Sequence, residues 1–228
     1  PEITIALFPD VGGSWFLNHA PGRCGEFLAL TGASINAADA IFIGFADRFI
    51  ASEHKQAVID GLLAQNWSEN LQTNHALVRH VLRPFSEQSV GSRPAGQVEP
   101  HLESINALMD GDNVHEVIER ITTQDTDDPW LAKARDSLAH GSKLAALWID
   151  RQLWETRHSS LKEVFQAELR LATQVVRYPE FAEGVRALLI DKDRKPAWKF
   201  ASSRDVPADL LDNFFSEPWD VNPLADLD

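Results

Sequence analysis

The first apolar segment of the chain is short and ends at a turn. Residues 2–8 (EITIALF) are rich in β-branched and large apolar side chains and predict a strand. Residues 9–13 (PDVGG) interrupt it, and helices are predicted from residue 14 and over 25–30. Residues 45–51 predict a second short strand. The start of the chain therefore alternates between strand, loop and helix.

Capping residues divide the following sequence into short helices. Asn36 is predicted to cap a helix over 37–43 that Gly44 closes, and Ser52 to cap one that runs to about residue 64. Further N-cap candidates are Asp112 or Asn113, Asp128 before Pro129, and Ser142.

The pattern changes after residue 65. Residues 86–100 are rich in Ser, Gly and Pro and predict a loop or linker, and from 101 onward nearly every segment has a helical pattern. The clearest helix is predicted over 160–177, where apolar residues recur with a 3.6-residue period typical of core packing. These residues are Leu161, Val164, Phe165, Leu171, Ala172, Val175 and Val176.

Composition is that of a globular protein: 228 residues, 44% hydrophobic and 24% charged. The formal net charge of -13 disfavours nucleic-acid binding, which depends on Lys and Arg against phosphates. No apolar run is long enough for a membrane span, and no signal peptide is visible. The single cysteine, Cys24, excludes an internal disulfide and is interpreted as a small buried side chain rather than a thiol activated by His19. Residues 177–204 carry seven basic side chains against four acidic ones, either a solvated surface or a patch for a small polyanion.

One pair of acidic residues suggests chemistry. Glu2 begins the predicted strand, and Asp10 follows Pro9 in the turn after it. Two carboxylates in a partly apolar cleft can take different pKa values and different roles. The alternative is that Asp10 is only a turn residue. No histidine pair has metal-ligand spacing, and no Gly-rich phosphate loop is present.

Five segments carry a resemblance. Residues 1–13 (PEITIALFPDVGG), 27–32 (FLALTG) and 44–47 (GFAD) resemble the second half of a crotonase-superfamily core. Residues 160–177 and 181–198 (FAEGVRALLIDKDRKPAW) resemble the C-terminal helix and signature segment of the 3-hydroxyisobutyryl-CoA hydrolase branch. The resemblance covers both ends of the chain, and residues 65–140 match loosely.

The resemblance implies a role for each acid. Enoyl-CoA hydratases carry a glutamate like Glu2 but usually a glycine at the place of Asp10, whereas this hydrolase branch carries both. Dienoyl-CoA isomerases also carry both, and the 181–198 segment favours the hydrolase. The residue matching Glu2 would activate water or attack the thioester, and the one matching Asp10 would bind the acyl hydroxyl. The oxyanion-hole loops and most of the CoA surface would come from an N-terminal half outside this chain.

The resemblance leads to the following expectations. The parent fold is an α/β crotonase-like spiral, and this part is mostly α with two or three short strands. Residues 1–64 are the C-terminal part of the crotonase core, 65–100 a connecting segment and 101–228 a helical region. The function expected is cytoplasmic hydrolysis of 3-hydroxyisobutyryl-CoA in valine degradation, without a cofactor, since CoA is part of the substrate. Expected partners are the N-terminal half and possible further copies, but no nucleic acid or membrane.

Two alternatives stay open. One is an enoyl-CoA hydratase or dienoyl-CoA isomerase of the same superfamily, and the other is a non-catalytic helical interaction fragment. Because the N-terminal half is not in this chain, residues 1–228 alone are expected to be inactive.

Overall fold

The computed structural model describes residues 2–227, and within that range all regular structure is helical. Pro1, the first residue of the PEITIALF motif, lies outside the described residues. The α-helices, α1 to α12 in chain order, are Gly13–Asn18, Cys24–Thr31, Ala37–Phe42, Lys55–Leu63, Leu71–Gln88, Leu102–Leu108, Val114–Thr123, Pro129–His140, Lys143–Thr156, Leu161–Val175, Pro179–Val185 and Ala208–Phe214. Short 3-10 helices are Glu2–Ile5, Ser52–His54, Val90–Ser92, Glu99–His101 and Ser203–Asp205, and a π-helical turn spans Arg186–Ile190. No described helix is long and apolar enough to cross a bilayer.

The chain packs as two compact units. One is formed by residues up to 34 together with residues from 101 onward, and the other by residues 35–100. The division into 1–64, 65–100 and 101–228 stays a prediction about the parts of the parent fold.

The first unit contains a large apolar core built around α9. This helix buries nine of its 14 residues, among them Trp148, whose indole Nε1 donates to the carbonyl oxygen of Leu7 at 3.3 Å. The ring of Phe214 on α12 packs against Trp148 with 4.8 Å between centroids. Leu171 and Val175 of α10 are fully buried. α9 is thus the central element on which the start of the chain rests.

The second unit depends on a buried carboxylate. Asp39 in α3 is fully buried and accepts hydrogen bonds from the backbone N–H groups of Asn36, Gln97 and Val98 at 2.9, 2.5 and 2.8 Å. The Asn36 side chain in turn accepts from the N–H groups of Ala38 and Asp39, which completes a capping box.

The capping predictions are largely confirmed. Asn36, Asp128 and Ser142 each accept hydrogen bonds from first-turn N–H groups, and Asn113 rather than Asp112 caps α7. Ser160 caps α10 in the same way, a cap that was not predicted from sequence. The Ser52 cap is wrong, because the turn there begins after Ala51 without a side-chain cap.

The strand predicted over 2–8 is wrong. The segment forms a 3-10 turn at Glu2–Ile5, and the N–H of Leu7 donates to the carbonyl of Glu2 at 2.9 Å. Ile3 and Ala6, one 3-10 turn apart, are both fully buried. A strand requires a neighbouring strand that pairs with its backbone N–H and C=O groups. Here the carbonyls of Ile3 and Leu7 accept hydrogen bonds from Ser142 and Trp148 instead.

The strand predicted over 45–51 is not formed either, and the described residues contain no strand. The mostly helical character is confirmed, and the two or three short strands are not.

Candidate active site

Glu2 and Asp10 lie at the two ends of one irregular segment. Glu2 is half-buried in the first position of its 3-10 turn, and Asp10 is exposed. The carbonyl of Asp10 accepts from the N–H of Gly13 at 2.7 Å and so closes a turn directly before α1. The segment between the two acids contains the fully buried side chains of Ile3, Ala6 and Phe8. Burial of these side chains fixes the backbone on which both carboxylates are carried.

Two glycines allow helices to approach the Glu2 end closely. A Cβ at Gly184 in α11 would lie 2.5 Å from backbone atoms of Ile5, and one at Gly141 would lie 2.5 Å from Ile3 Cγ1. The N–H of Ser142 donates to the carbonyl of Ile3 at 3.2 Å. Real Cβ atoms do not approach this closely, so only glycine permits the contact at Gly184. The backbone beside Glu2 is thereby held from two sides.

The turn that follows Asp10 has an uncommon backbone. Val11 and Gly12 both have positive φ, 50° and 85°. Such a conformation is rare for a β-branched residue and persists only where the surroundings impose it. Val11 itself is 79% exposed, so its side chain does not impose it.

The constraint on this turn comes from Glu168 of α10. Its carboxylate is 3% exposed and accepts from the N–H of Gly12 at 2.7 Å and from the N–H of Ser14 at 3.0 Å. The Ser14 hydroxyl also donates to the carbonyl of Pro9 at 3.2 Å. Burial raises the pKa of Glu168 above its ordinary value, the bonds from Gly12 and Ser14 oppose that rise, and the charge of Asp10 adds to it.

Glu168 was missed from sequence although a signal was available. It occupies a position in the apolar stripe of α10, between the fully buried Val164 and Leu171. A charged residue at a core position of a helix is rarely tolerated without a partner. The stripe prediction is confirmed at its centre, whereas Leu161 and Val176 at its ends are 40% and 55% exposed.

Cys24 is confirmed as a buried side chain. It is fully buried, and burial raises the pKa of its thiol, which disfavours the reactive thiolate. His19 instead shares a hydrogen bond of 2.7 Å with the carbonyl of Trp15, and its ring packs against that indole with 4.1 Å between centroids. Among residues 2–227 no group of three or more His, Cys, Asp or Glu could hold a metal ion.

The basic segment 177–204 is partly neutralised by its own acids. Arg186 binds the carboxylates of Glu183, Asp191 and Asp193 at 2.8, 2.6 and 2.8 Å. The hydrogen bonds from Arg186 lower the pKa of Glu183 to about 2. These contacts fold the signature segment around Arg186, so this arginine is engaged internally.

Comparison with known proteins agrees with this architecture. The family model described as enoyl-CoA hydratase/isomerase matches residues 1–215. The mitochondrial 3-hydroxyisobutyryl-CoA hydrolase of Homo sapiens is 35% identical over 94% of this chain and 54% of its own length. That of Gallus gallus is 31% identical over 98% of this chain and 56% of its own length. The chain therefore spans about half the length of these curated relatives.

Two solved structures have the same fold. A carnitinyl-CoA dehydratase from Mycobacterium thermoresistibile aligns over 100% of this chain and 61% of its own, with a TM-score of 0.83 and 26% identity. An enoyl-CoA hydratase from Rhodobacter sphaeroides aligns over 96% of this chain and 58% of its own, with a TM-score of 0.73 and 30% identity. The expected cytoplasmic location gains no support, since the curated relatives are named as mitochondrial. On the sequence match and the shared fold, the chain belongs to the enoyl-CoA hydratase/isomerase family.

Proposed function

We propose that the whole protein hydrolyses a short hydroxyacyl-CoA thioester, with 3-hydroxyisobutyryl-CoA as the preferred substrate. The observation that carries the proposal is Asp10. It is a carboxylate on a constrained turn, eight residues after Glu2, where the hydratases of the superfamily usually have glycine. Identity of 35% to a named hydrolase supports the same choice.

In the proposed reaction a water oxygen bonds to the thioester carbonyl carbon and the C–S bond breaks. The products are the free acid and the thiol of CoA. Glu2 either takes the water proton as general base or attacks first to form an anhydride that water then opens. Asp10 accepts a hydrogen bond from the acyl hydroxyl and thereby orients the substrate. Under this proposal the relatives' N-terminal half supplies the oxyanion donors, and valine degradation is the route served.

The first test replaces each acid in full-length protein. Glu2→Gln should lower thiol release at least about 100-fold, because general acid–base or nucleophilic participation is lost. Asp10→Gly should lower hydrolysis of 3-hydroxyisobutyryl-CoA far more than that of isobutyryl-CoA, which lacks the hydroxyl. Glu103→Gln, an exposed change of the same kind in α6, should leave both rates unchanged. Equal losses on the two substrates would contradict the role of Asp10.

The second test uses the 228-residue chain itself. It should release negligible thiol, because each missing oxyanion donor would stabilise the transition state by on the order of 3 kcal/mol. Mixing it with a separately made N-terminal half should restore turnover. Robust turnover by this chain alone would contradict the assignment of the oxyanion hole to the other half.

A second candidate function is hydration or dehydration of an acyl-CoA, which the likeness to the two solved structures favours. Hydration of crotonyl-CoA, measured as the loss of the enoyl absorbance, distinguishes this activity from hydrolysis, which is measured as thiol release. Hydration without thiol release would replace the hydrolase proposal.

A further inference from the structure

Glu168 is a carboxylate in a place suited to an apolar side chain. It lies on the core-facing stripe of α10 and is 3% exposed. Removing a carboxylate from water is strongly unfavourable unless hydrogen-bond donors replace the lost water. A leucine at this position would avoid that cost. The hydrogen bonds that the Glu168 carboxylate accepts therefore indicate why a charged group occupies this position.

Those contacts are all on the turn that carries Asp10. The two carboxylate oxygens accept from the N–H groups of Gly12 and Ser14, two and four residues after Asp10, at 2.7 and 3.0 Å. Gly12 also lies against α10, since a Cβ there would be 3.4 Å from Leu161 and 3.5 Å from Phe165. The Glu168 carboxylate thus binds two N–H groups of the turn, whose backbone at Gly12 is left-handed, and acts together with the Ser14 hydroxyl that donates to the carbonyl of Pro9.

Orientation of Asp10 depends on this anchor. Asp10 is exposed, and its backbone is fixed by one turn hydrogen bond to Gly13. If the N–H groups of Gly12 and Ser14 were released, the turn could relax from positive φ at Val11, and Asp10 would move with it.

We propose that Glu168 is a positioning residue which, by holding the N–H groups of Gly12 and Ser14, fixes Asp10 and so sets the preference for hydroxylated acyl groups. The inference rests on the proposed function, in which Asp10 binds the acyl hydroxyl. Glu168 does not touch substrate and acts through Asp10.

The kinetic experiment compares two substrates in full-length protein. In Glu168→Gln the amide NH₂ replaces one acceptor and faces an N–H donor. The ratio of kcat/KM for 3-hydroxyisobutyryl-CoA to that for isobutyryl-CoA should fall about 10-fold or more, because a misplacement of about 1 Å can cost about 100-fold in rate. Loss of folded enzyme alone would lower both values equally and leave the ratio unchanged.

Two controls isolate the pathway through Asp10. Glu163→Gln changes the same residue type at an exposed position on the same helix and should leave the ratio unchanged. In an Asp10→Gly background Glu168→Gln should lower the ratio no further, because the two changes remove one interaction. An unchanged ratio in Glu168→Gln, or a further fall in the double variant, would overturn the proposal.

An activity-independent readout separates this inference from the proposed function. If unmodified full-length protein hydrolyses neither substrate, the proposed function fails first. Amide hydrogen exchange measured by NMR still tests the anchor: the N–H groups of Gly12 and Ser14 should exchange about 10-fold faster or more in Glu168→Gln than in Glu163→Gln. Equal exchange in the two variants would overturn the anchoring role itself.

Discussion

Helices α9 and α5 show two different ways of stabilising a helical segment. α9 buries nine of its 14 residues, whereas α5 has 18 residues and buries only Val81. The unit that contains α9 has a continuous apolar core. The unit of residues 35–100, which contains α5, buries few apolar side chains, Ile43 and Val98 among them. It also contains the buried carboxylate of Asp39 and Ser89, whose hydroxyl accepts from the N–H of Ala51 at 2.9 Å.

The difference has a consequence for local stability. Apolar burial stabilises by about 25 cal/mol per Å² and is spread over many contacts. A few hydrogen bonds contribute about 1 kcal/mol each, so losing one of them matters locally. We therefore expect residues 35–100 to open with a smaller free energy than the core around α9.

The largest effect is expected from Trp148→Ala in α9. Trp148 is fully buried against Phe214 and the carbonyl of Leu7, so the change should lower the free energy of unfolding by about 3–5 kcal/mol. Urea unfolding measures it. Trp154→Ala, the same change at a 64% exposed position of the same helix, should cost less than about 1 kcal/mol. Equal costs would mean that α9 packs with a different face.

The next effect is expected from Asp39→Ala, which leaves three backbone N–H groups without their acceptor. It should lower the local opening free energy of residues 35–100 by about 2–4 kcal/mol, measured by hydrogen exchange at the amides of Asn36, Gln97 and Val98. Asp60→Ala, which removes an exposed contact with Gln56, is the control and should change little. If amide protection is unaltered after Asp39→Ala, the buried carboxylate does not stabilise residues 35–100, and the contrast with the core around α9 is wrong.

A smaller, pH-dependent effect is expected from Asp150→Asn in α9. Burial raises the pKa of Asp150 from 3.8 to about 6, the charge of Glu26 adds to the rise, and Arg23 opposes it. The folded state then holds a proton that the unfolded state releases between pH 4 and 6, so the contribution of Asp150 to stability falls as pH rises through that window.

The variant should therefore be more stable than the unmodified protein at pH 8, by about 1–3 kcal/mol, and equal to it near pH 3.5. Urea unfolding at the two pH values measures the difference. A variant that is less stable at pH 8 would show that ionised Asp150 is well solvated or paired, and that burial around α9 does not extend to it.

The smallest effect is expected from Leu71→Ala at the start of α5. Leu71 is 74% exposed, so the change should alter the free energy of unfolding by less than about 0.5 kcal/mol. A cost above about 1.5 kcal/mol would show that this apolar side chain is covered in solution, and the contrast between α5 and α9 would then be smaller than the structure indicates.

Local chemistry explains which predictions from sequence succeed. The course of α10 is confirmed because a 3.6-residue apolar period, like a side chain that accepts from first-turn N–H groups, specifies a helix within a few neighbouring residues. The same reasoning accounts for the caps at Asn36, Asp128 and Ser142.

Predictions from sequence failed where residues distant along the chain determine the local backbone conformation. The 2–8 segment has strand-forming side chains, yet it forms a 3-10 turn because the approach of Gly184, the N–H of Ser142 and the indole of Trp148 surround it. β-Propensity reflects fit to a pleated, half-buried surface and yields to such packing. The paired acids Glu2 and Asp10 could be selected from sequence, and their roles stay proposals.

By itself, the sequence determined the family, most of the caps, the principal helices and the two candidate acids, because each depends on residue types at fixed, short spacing. Only the tertiary structure decided that Glu168, more than 150 residues along the chain from Gly12 and Ser14, binds the N–H groups of both. It also decided that Asp39 is buried rather than solvated. Sequence spacing cannot report such contacts, because a buried carboxylate acquires its donors only when distant segments pack together.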